Sequence, residues 1–331
     1  MSTAPSLSVV VVSPSDFAQV RRSVRHLSGQ DTADQIELIL VATSPASVAD
    51  HHPWEFDRFA AVRIVAYGLI TNVDRAAALG VSEASADIVA VVEDHAFVGP
   101  GWARAVMEAY RAADWVSVGS VMENANPSSS LSWANLLLGY GWWVDPARCG
   151  AIFDVPGHNG SYARSALAAL SEELPDLMVR GGGLHDRLRA AGGRMYLAAD
   201  ARIAHLNPSR PSSTAKLRYN AGRLYGHIRA ETERWSPVKR AAYALACIVI
   251  PYVRLQRLHA EHLAVGRAHH HLTPRILPGL LLALSLDAAG QAAGYLAGPG
   301  RAQEVAATFE MDRMRHLSRA DHARFTSETC P

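Results

Sequence analysis

Cysteine is scarce. The 331 residues hold three, Cys149, Cys247 and Cys330, odd in number and without a CxxC spacing. That excludes a disulfide framework and a cysteine-based zinc site, and it fits a reducing compartment. An excess of one charge is missing too: 32 Lys and Arg stand against 31 Asp and Glu, a formal net charge of +1. A general nucleic-acid binder carries a marked basic excess or stripe, so no nucleic-acid partner is expected. No GxGxxG follows the first apolar run, which speaks against a nicotinamide-dependent enzyme of the dinucleotide-binding type. Residues 1–8 lack the basic region, long apolar region and cleavage site of a signal peptide, so a cytoplasmic location is expected.

What is present is a chain with 49% hydrophobic residues, enough for one large core or two modest ones. Leu7 to Val12 is a β-branched run that reads as a buried strand, and it ends at Ser13-Pro14-Ser15-Asp16, a helix start. Phe17, Val20, Val24 and Leu27 then recur at helical spacing. Ile36 to Val41 and Val62 to Ala66 read as further strands, and the alanine-rich Asn72 to Ala86 as a helix. Ile88 to Val92 is a fourth strand that ends abruptly on Glu93-Asp94-His95. Strands alternating with helices argue for βαβ units and a mainly parallel sheet. In such a sheet ligands bind just outside the carboxyl ends of the strands, so three metal-competent side chains at one strand end form either a site or a solvated loop.

Trp102 to Tyr110 has helical periodicity, and Trp115 to Val121 reads as a strand. The aromatic-rich stretch Trp133, Leu136 to Leu138, Tyr140, Trp142 and Trp143 is read as core packing, with a substrate groove as the alternative. Two glycine-bounded polar turns follow, Gly157-His158-Asn159-Gly160-Ser161 and Gly181-Gly182-Gly183-Leu184-His185-Asp186; the second enters a helix from Arg187 to Ala191. Arg194 to Ala198 and Ala201 to Ala204 read as two short strands, with His205 just beyond.

The order of these pieces from Leu7 to about Arg223 resembles the inverting family 2 glycosyltransferases of the GT-A fold. The resemblance implies an α/β, Rossmann-like sheet flanked by helices over residues 1–225, a helical region over 226–300 and a tail over 301–331. It implies transfer of a sugar from a nucleoside-diphosphate donor to a hydroxyl acceptor, for a cell-envelope glycan, glycolipid or secondary metabolite. By similarity, Ser13, Pro14 and Asp16, with Thr43 and Ser44, would face the nucleoside, and Asn72 and Arg75 would lie nearby. Glu93-Asp94-His95 would stand in the acidic metal motif. His158, Asn159 and Gly160 would underlie the sugars together with His185, and Asp186 would be the catalytic base.

The chain departs from the family pattern at three points. Ala42-Thr43 stands where aspartates usually hold base and ribose, His95 replaces an aspartate of the metal motif, and His185 replaces a glutamate before Asp186. An imidazole ligand favours Mn²⁺ over Mg²⁺ as the divalent cation. Asp94, His95 and His205 are the expected metal ligands, His205 being otherwise a structural histidine. The departures leave open a catalytically silent sugar- or lipid-binding relative. Arg210, Arg218 and Arg223 follow the loop Asn207 to Thr214 and are read as a solvated helix face rather than as phosphate ligands.

The last third differs in character. Ala241 to Val253 and Ile276 to Leu296 are apolar, but the first is shorter than the roughly 20 residues a bilayer helix needs. The second is interrupted by Asp287 and Gln291. Lys239, Arg240, Arg254 and Arg257 flank the first run, which suggests a surface lying on an anionic leaflet at the inner face of the cell membrane, near a lipid-linked acceptor. A helical subdomain packed on the catalytic core, or on a second subunit of a homodimer, is the alternative. His269-His270-His271 is read as an exposed basic turn, and the tail as a short frayed helix.

Overall fold

The computed structural model describes residues 4–145, 147–179, 183–264 and 274–327. His269-His270-His271, Gly181 and Gly182 lie outside these. The chain divides into two compact units: residues 1–123 with 147–205, and residues 124–146 with 206–331.

The first unit holds the sheet. β1 (Leu7–Ser13) and β2 (Ile36–Ala42) are buried along their whole length, as largely apolar strands covered on both faces are, and the buried Ser8 hydroxyl and Glu37 carboxylate bond to each other. Between them lies α1 (Phe17–Ser28), whose cap is Asp16: its carboxylate accepts from the Gln19 N–H. β3 (Ala61–Ala66) follows, then α2 (Val73–Ser82), capped by Asn72, then β4 (Ile88–Val92). β1 pairs in parallel with β2 and β4, and β2 with β3, so the chain reverses its direction of growth between β1 and β4.

The later strands bring antiparallel pairings, which makes the whole mixed. β5 (Ala96–Val98) is a three-residue strand that the sequence reading does not contain. After α3 (Trp102–Ala112) comes β6 (Ser117–Asn124). The second unit is then entered through α4 (Ser130–Tyr140), and the chain returns with β7 (Gly150–Ile152), β8 (Gly160–Ala163), α5 (Arg164–Ala168), α6 (Leu174–Met178) and α7 (Leu184–Ala190). β9 (Met195–His205) is one continuous strand where two short ones were expected, because the polar Asp200 sits on a strand without breaking it. The strand order is β3-β2-β1-β4-β8-β6-β9-β5, with β7 beside β9. The antiparallel pairings are β8 against β4 and β6, and β5 and β7 against β9.

The second unit is helical. α8 (Pro211–Thr232) crosses the expected division at residue 225 without a break. α9 (Pro237–Ala246), α10 (Ile250–Ala264), α11 (Leu277–Ala297), α12 (Ala302–Met311) and α13 (Arg319–Ser327) follow. α8 and α11 make the most extensive helix pair among the described residues. They meet through glycines: Gly222 and Gly226 on one helix lie against Asp287 and Gln291 of the other, and Gly290 and Gly294 lie against Tyr219 and Arg223. α11 is long and apolar enough to cross a membrane, yet half of it is buried in the fold, including Asp287 and Gln291, which bond to each other.

Three expectations fail here. Of the stretch expected to pack in the core, Leu136 and Leu137 of α4 are buried, but none of the aromatic residues Trp133, Tyr140, Trp142 and Trp143 is. Arg218 is buried, not on a solvated face, and the segment from Asn207 to Ser209 is buried and tied down by Asn126, Asp321 and the His316 carbonyl. The tail is more than one short helix: over its described residues, 301–327, it forms two helices, and Ala302, Ala306, Phe309, Leu317 and Phe325 are core residues.

Candidate active site

β4 ends where its neighbour β1 also ends, at the crevice created by the reversal of strand order. Two side chains of α1, one helical turn apart, reach into this strand end. The Gln19 amide donates to the Asp94 carboxylate, and the Ser23 hydroxyl donates to the Asp94 carbonyl at 2.7 Å. From the other side, β8 pairs antiparallel with β4, Ala90 opposite Ser161. That register brings the buried Asn159 onto Glu93: its amide nitrogen donates to Glu93 Oε2 at 2.6 Å, and its oxygen accepts the Glu93 N–H at 3.1 Å.

The short strand β5 completes the site. Ala96 pairs with His205 at the end of β9, so the ring of His95 meets the ring of His205 edge-on, centroids 4.9 Å apart. Glu93 Oε2 lies 3.2 Å from His205 Nε2 and 3.6 Å from His95 Nε2. Two ligand atoms about 2.1 Å from one ion stand about 3.0 to 3.4 Å apart in octahedral to tetrahedral geometry. The Glu93–His205 spacing falls in that range and the Glu93–His95 spacing is slightly longer, so three ligand atoms within 4.8 Å of one another could close on one divalent cation with a small shift, and one carboxylate with two imidazoles suits a first-row transition ion better than an all-oxygen site would. Burial pushes the Glu93 carboxyl up, but His95, His205 and His158 outweigh it and hold the group well below the usual carboxylate range.

Asp94, expected among the ligands, stands behind the cluster. Its carboxylate holds His95 Nδ1 at 2.5 Å and so turns His95 Nε2 toward Glu93, the arrangement by which a carboxylate orients a metal-binding imidazole. His158 forms the outer wall, its Nδ1 3.3 Å from Asp74 and 3.8 Å from Glu93. Asp74, in the first turn of α2, and Gln19 are site residues that the sequence reading missed; neither carries a local signal, since each is recognised only by a partner far along the chain.

The remaining candidates fall into two groups. Those at the ends of β1 and β2 do local work. The Ser13 hydroxyl donates to the Asp16 carbonyl, Thr43 bonds Ser47, and Ser44 caps a 3₁₀ turn from Pro45 to Val48. Pro14 is half-buried in the β1–α1 loop. Asn72 caps α2, and Arg75 pairs with Asp176. Gly160 opens β8 with its Cα so close to the Pro156 carbonyl that a Cβ would stand 2.6 Å from that oxygen.

The second group is built on α7. His185 lies between Asp154, 2.5 Å from Nδ1, and the Tyr162 hydroxyl, 2.9 Å from Nε2. Burial, and next the charge of Asp154, push the Tyr162 hydroxyl far above its ordinary value. Asp186 lies in the first turn of α7, and not in the loop before it. Its side chain is 81% exposed and paired with Arg189. Asp154 and Tyr162 are further residues that the sequence reading missed.

Strand order and layers define an α/β, Rossmann-like fold of the GT-A type. No protein-family model matches the sequence, and no curated protein matches it. Among solved structures the chain is similar to the mannosyltransferase PcManGT from Pyrobaculum calidifontis in complex with GDP-Man and Mn²⁺, at 16% identity and a TM-score of 0.51, over 87% of this chain and 86% of that one. It is also similar to GalNAc-T7 with UDP, GalNAc and Mn²⁺, at 12% identity over 60% of this chain, and to S. aureus TarS, at 11% over 68%, each with a TM-score of 0.45. The chain spans 43% and 42% of those two proteins. At these identities what is shared is the fold.

Proposed function

We propose that the protein is an inverting glycosyltransferase that moves a sugar from a nucleoside-diphosphate donor to a hydroxyl acceptor in the cytoplasm. The observation that carries this reading is the Glu93–His95–His205 cluster at the carboxyl end of β4. It lies where an α/β sheet of this type binds a ligand, and a mannosyltransferase of the same fold has a solved structure in complex with GDP-Man and Mn²⁺. A divalent cation held there, Mn²⁺ in preference to Mg²⁺, would supply positive charge against the departing diphosphate. The ends of β1 and β2, with Ser13 to Asp16 and Thr43 to Ser44, are the nucleoside side of the crevice. Asp186, paired with Arg189, takes the proton of the acceptor hydroxyl, and His185, fixed by Asp154, orients the sugar. The acceptor is a cell-envelope glycan, glycolipid or secondary metabolite precursor.

The test is turnover of common sugar nucleotides with and without Mn²⁺, in wild type and in Asp186→Asn. General-base loss predicts a fall in kcat of about 10² to 10⁴ with donor affinity unchanged. Normal transfer by Asp186→Asn contradicts the assignment of the base. No turnover and no nucleotide binding by the wild type contradicts the enzyme and leaves a silent binding protein.

A further inference from the structure

α9, a 3₁₀ turn from Cys247 to Val249 and α10 run on from one another, and their inner side is already occupied. Cys247 packs with Ala230, Trp235 and Tyr295, and Leu258 packs with Ala134, Leu280, Ala283 and Leu284. A surface helix with its inner face so used should turn polar residues outward. This one does not. Val238, Ala242, Leu245, Val249 and Tyr252 succeed one another at helical intervals of three or four residues and all are exposed. Val238 is 79% exposed, Leu245 81%, Ile248 86% and Tyr252 66%, values that leave these side chains almost wholly in water. An apolar stripe of this length, uninterrupted by a polar side chain, is a docking surface and not a scatter of single residues.

Within the segment that carries the stripe the charge has one sign. From Arg234 to Ala260 there are five cationic residues, Arg234, Lys239, Arg240, Arg254 and Arg257, and no acid. Lys239 reaches back to Glu233, Arg240 to Glu231 and Arg254 to Asp287. Arg234 and Arg257 have no acidic partner among the described residues, and the segment keeps a positive rim beside its apolar face. A second copy of the chain docking through a two-fold axis would set these cations against their own counterparts. An anionic leaflet meets both features at once: its negative surface attracts the basic residues, and the stripe enters the boundary between headgroups and acyl chains, where a tyrosine such as Tyr252 is at home.

We infer that the outer face of α9 and α10 is a membrane-docking surface that seats the protein on an anionic bilayer. The inference is independent of the sugar-transfer reading, because its test reads binding and not turnover. Full-length protein is floated with phosphatidylcholine vesicles made with and without phosphatidylglycerol. It is compared with a triple variant, Leu245→Ser, Ile248→Ser and Tyr252→Ser, and with Arg257→Glu. The substituted side chains lie in solvent, and an unchanged thermal melt confirms that the variants fold. The wild type is expected to float with the anionic vesicles and the triple variant to bind them about a hundredfold more weakly, about 2.7 kcal/mol. Arg257→Glu should weaken binding several-fold, and added salt should weaken the wild type. Failure of the wild type to float with either vesicle, or equal flotation of the triple variant, overturns the inference. So does a wild-type dimer in sedimentation equilibrium that the triple variant loses while vesicles capture neither protein; the surface then belongs to a second copy.

Discussion

Replacing Gly290 by alanine tests the helix pair on which the second unit is built. A Cβ at Gly290 would fall against the Tyr219 carbonyl oxygen, well inside van der Waals contact, and 2.9 Å from both the Tyr219 carbonyl carbon and the Arg223 nitrogen. These are backbone atoms of α8, which cannot swing aside as a side-chain end does. To restore carbon contacts of about 3.5 Å, α8 and α11 must part by roughly 1 Å, and a gap of that size forfeits about half of the dispersion energy of the atom pairs it separates. Overpacking of this kind costs about 1 to 3 kcal/mol or more, while alanine returns about 1 kcal/mol of helix propensity. Because the contact is with backbone the cost falls at the upper end of that range, about 3 kcal/mol, and the net expectation is a loss of about 2 kcal/mol. Gly139 is the internal control: it lies in α4 with nothing within 4 Å of an added Cβ, so Gly139→Ala should stabilise by about 0.5 kcal/mol through the unfolded chain and helix propensity alone. Urea unfolding followed by far-ultraviolet circular dichroism reads both. Wild-type stability in Gly290→Ala, or the same sign for the two substitutions, would refute the close approach of these helices.

Two other outcomes follow from the same contacts. If Glu93 is the carboxylate ligand and Asp94 the group that orients His95, then Asp94→Ala should weaken Mn²⁺ binding about 10- to 100-fold and Glu93→Gln more than that; electron paramagnetic resonance of free Mn²⁺ measures both, and the reverse order restores Asp94 as the ligand. His316 is stacked on Phe309, and burial, with Arg313 second, lowers its pKa from the ordinary 6.5. The unfolded chain then binds the proton more readily than the folded one, so the stability this site contributes is whole above about pH 6.5 and is lost as the pH falls through that value. His316→Phe, which keeps the stack, should lose less stability than wild type between about pH 7.5 and about pH 5.5; an unchanged loss contradicts the prediction.

The parallel half of the sheet is written openly in the sequence. β1, β2 and β4 are apolar runs with turn residues at their ends, and Asp16 and Asn72 mark helix starts that the structure places within a residue. The antiparallel half is less legible for a physical reason: β5 has three residues, too few to show a period, and β9 carries Asp200, which reads as an interruption. The site depends on that half. Glu93 and His95 are adjacent in the sequence to an obvious strand, but only the pairing of Ala96 with His205 sets them beside a histidine more than a hundred residues away. The partnerships of Asp74 with His158, Asp154 with His185 and Gln19 with Asp94 are likewise tertiary, each joining a helix residue to a loop residue far along the chain. The apolar run from Ala241 to Val253 showed where helices form, but composition alone does not say which face is covered; Leu245 and Ile248 are in solvent, and Cys247 between them is buried.

The most direct test of the central claim is a calorimetric titration of the wild-type protein with GDP and UDP, in Mn²⁺ and again with the metal chelated. The account predicts that a nucleoside diphosphate binds in Mn²⁺, that chelation removes most of the affinity, and that His205→Ala reproduces the loss. Equal binding with and without the metal, or no binding of either nucleotide in Mn²⁺, would contradict a metal-dependent donor site at Glu93, His95 and His205.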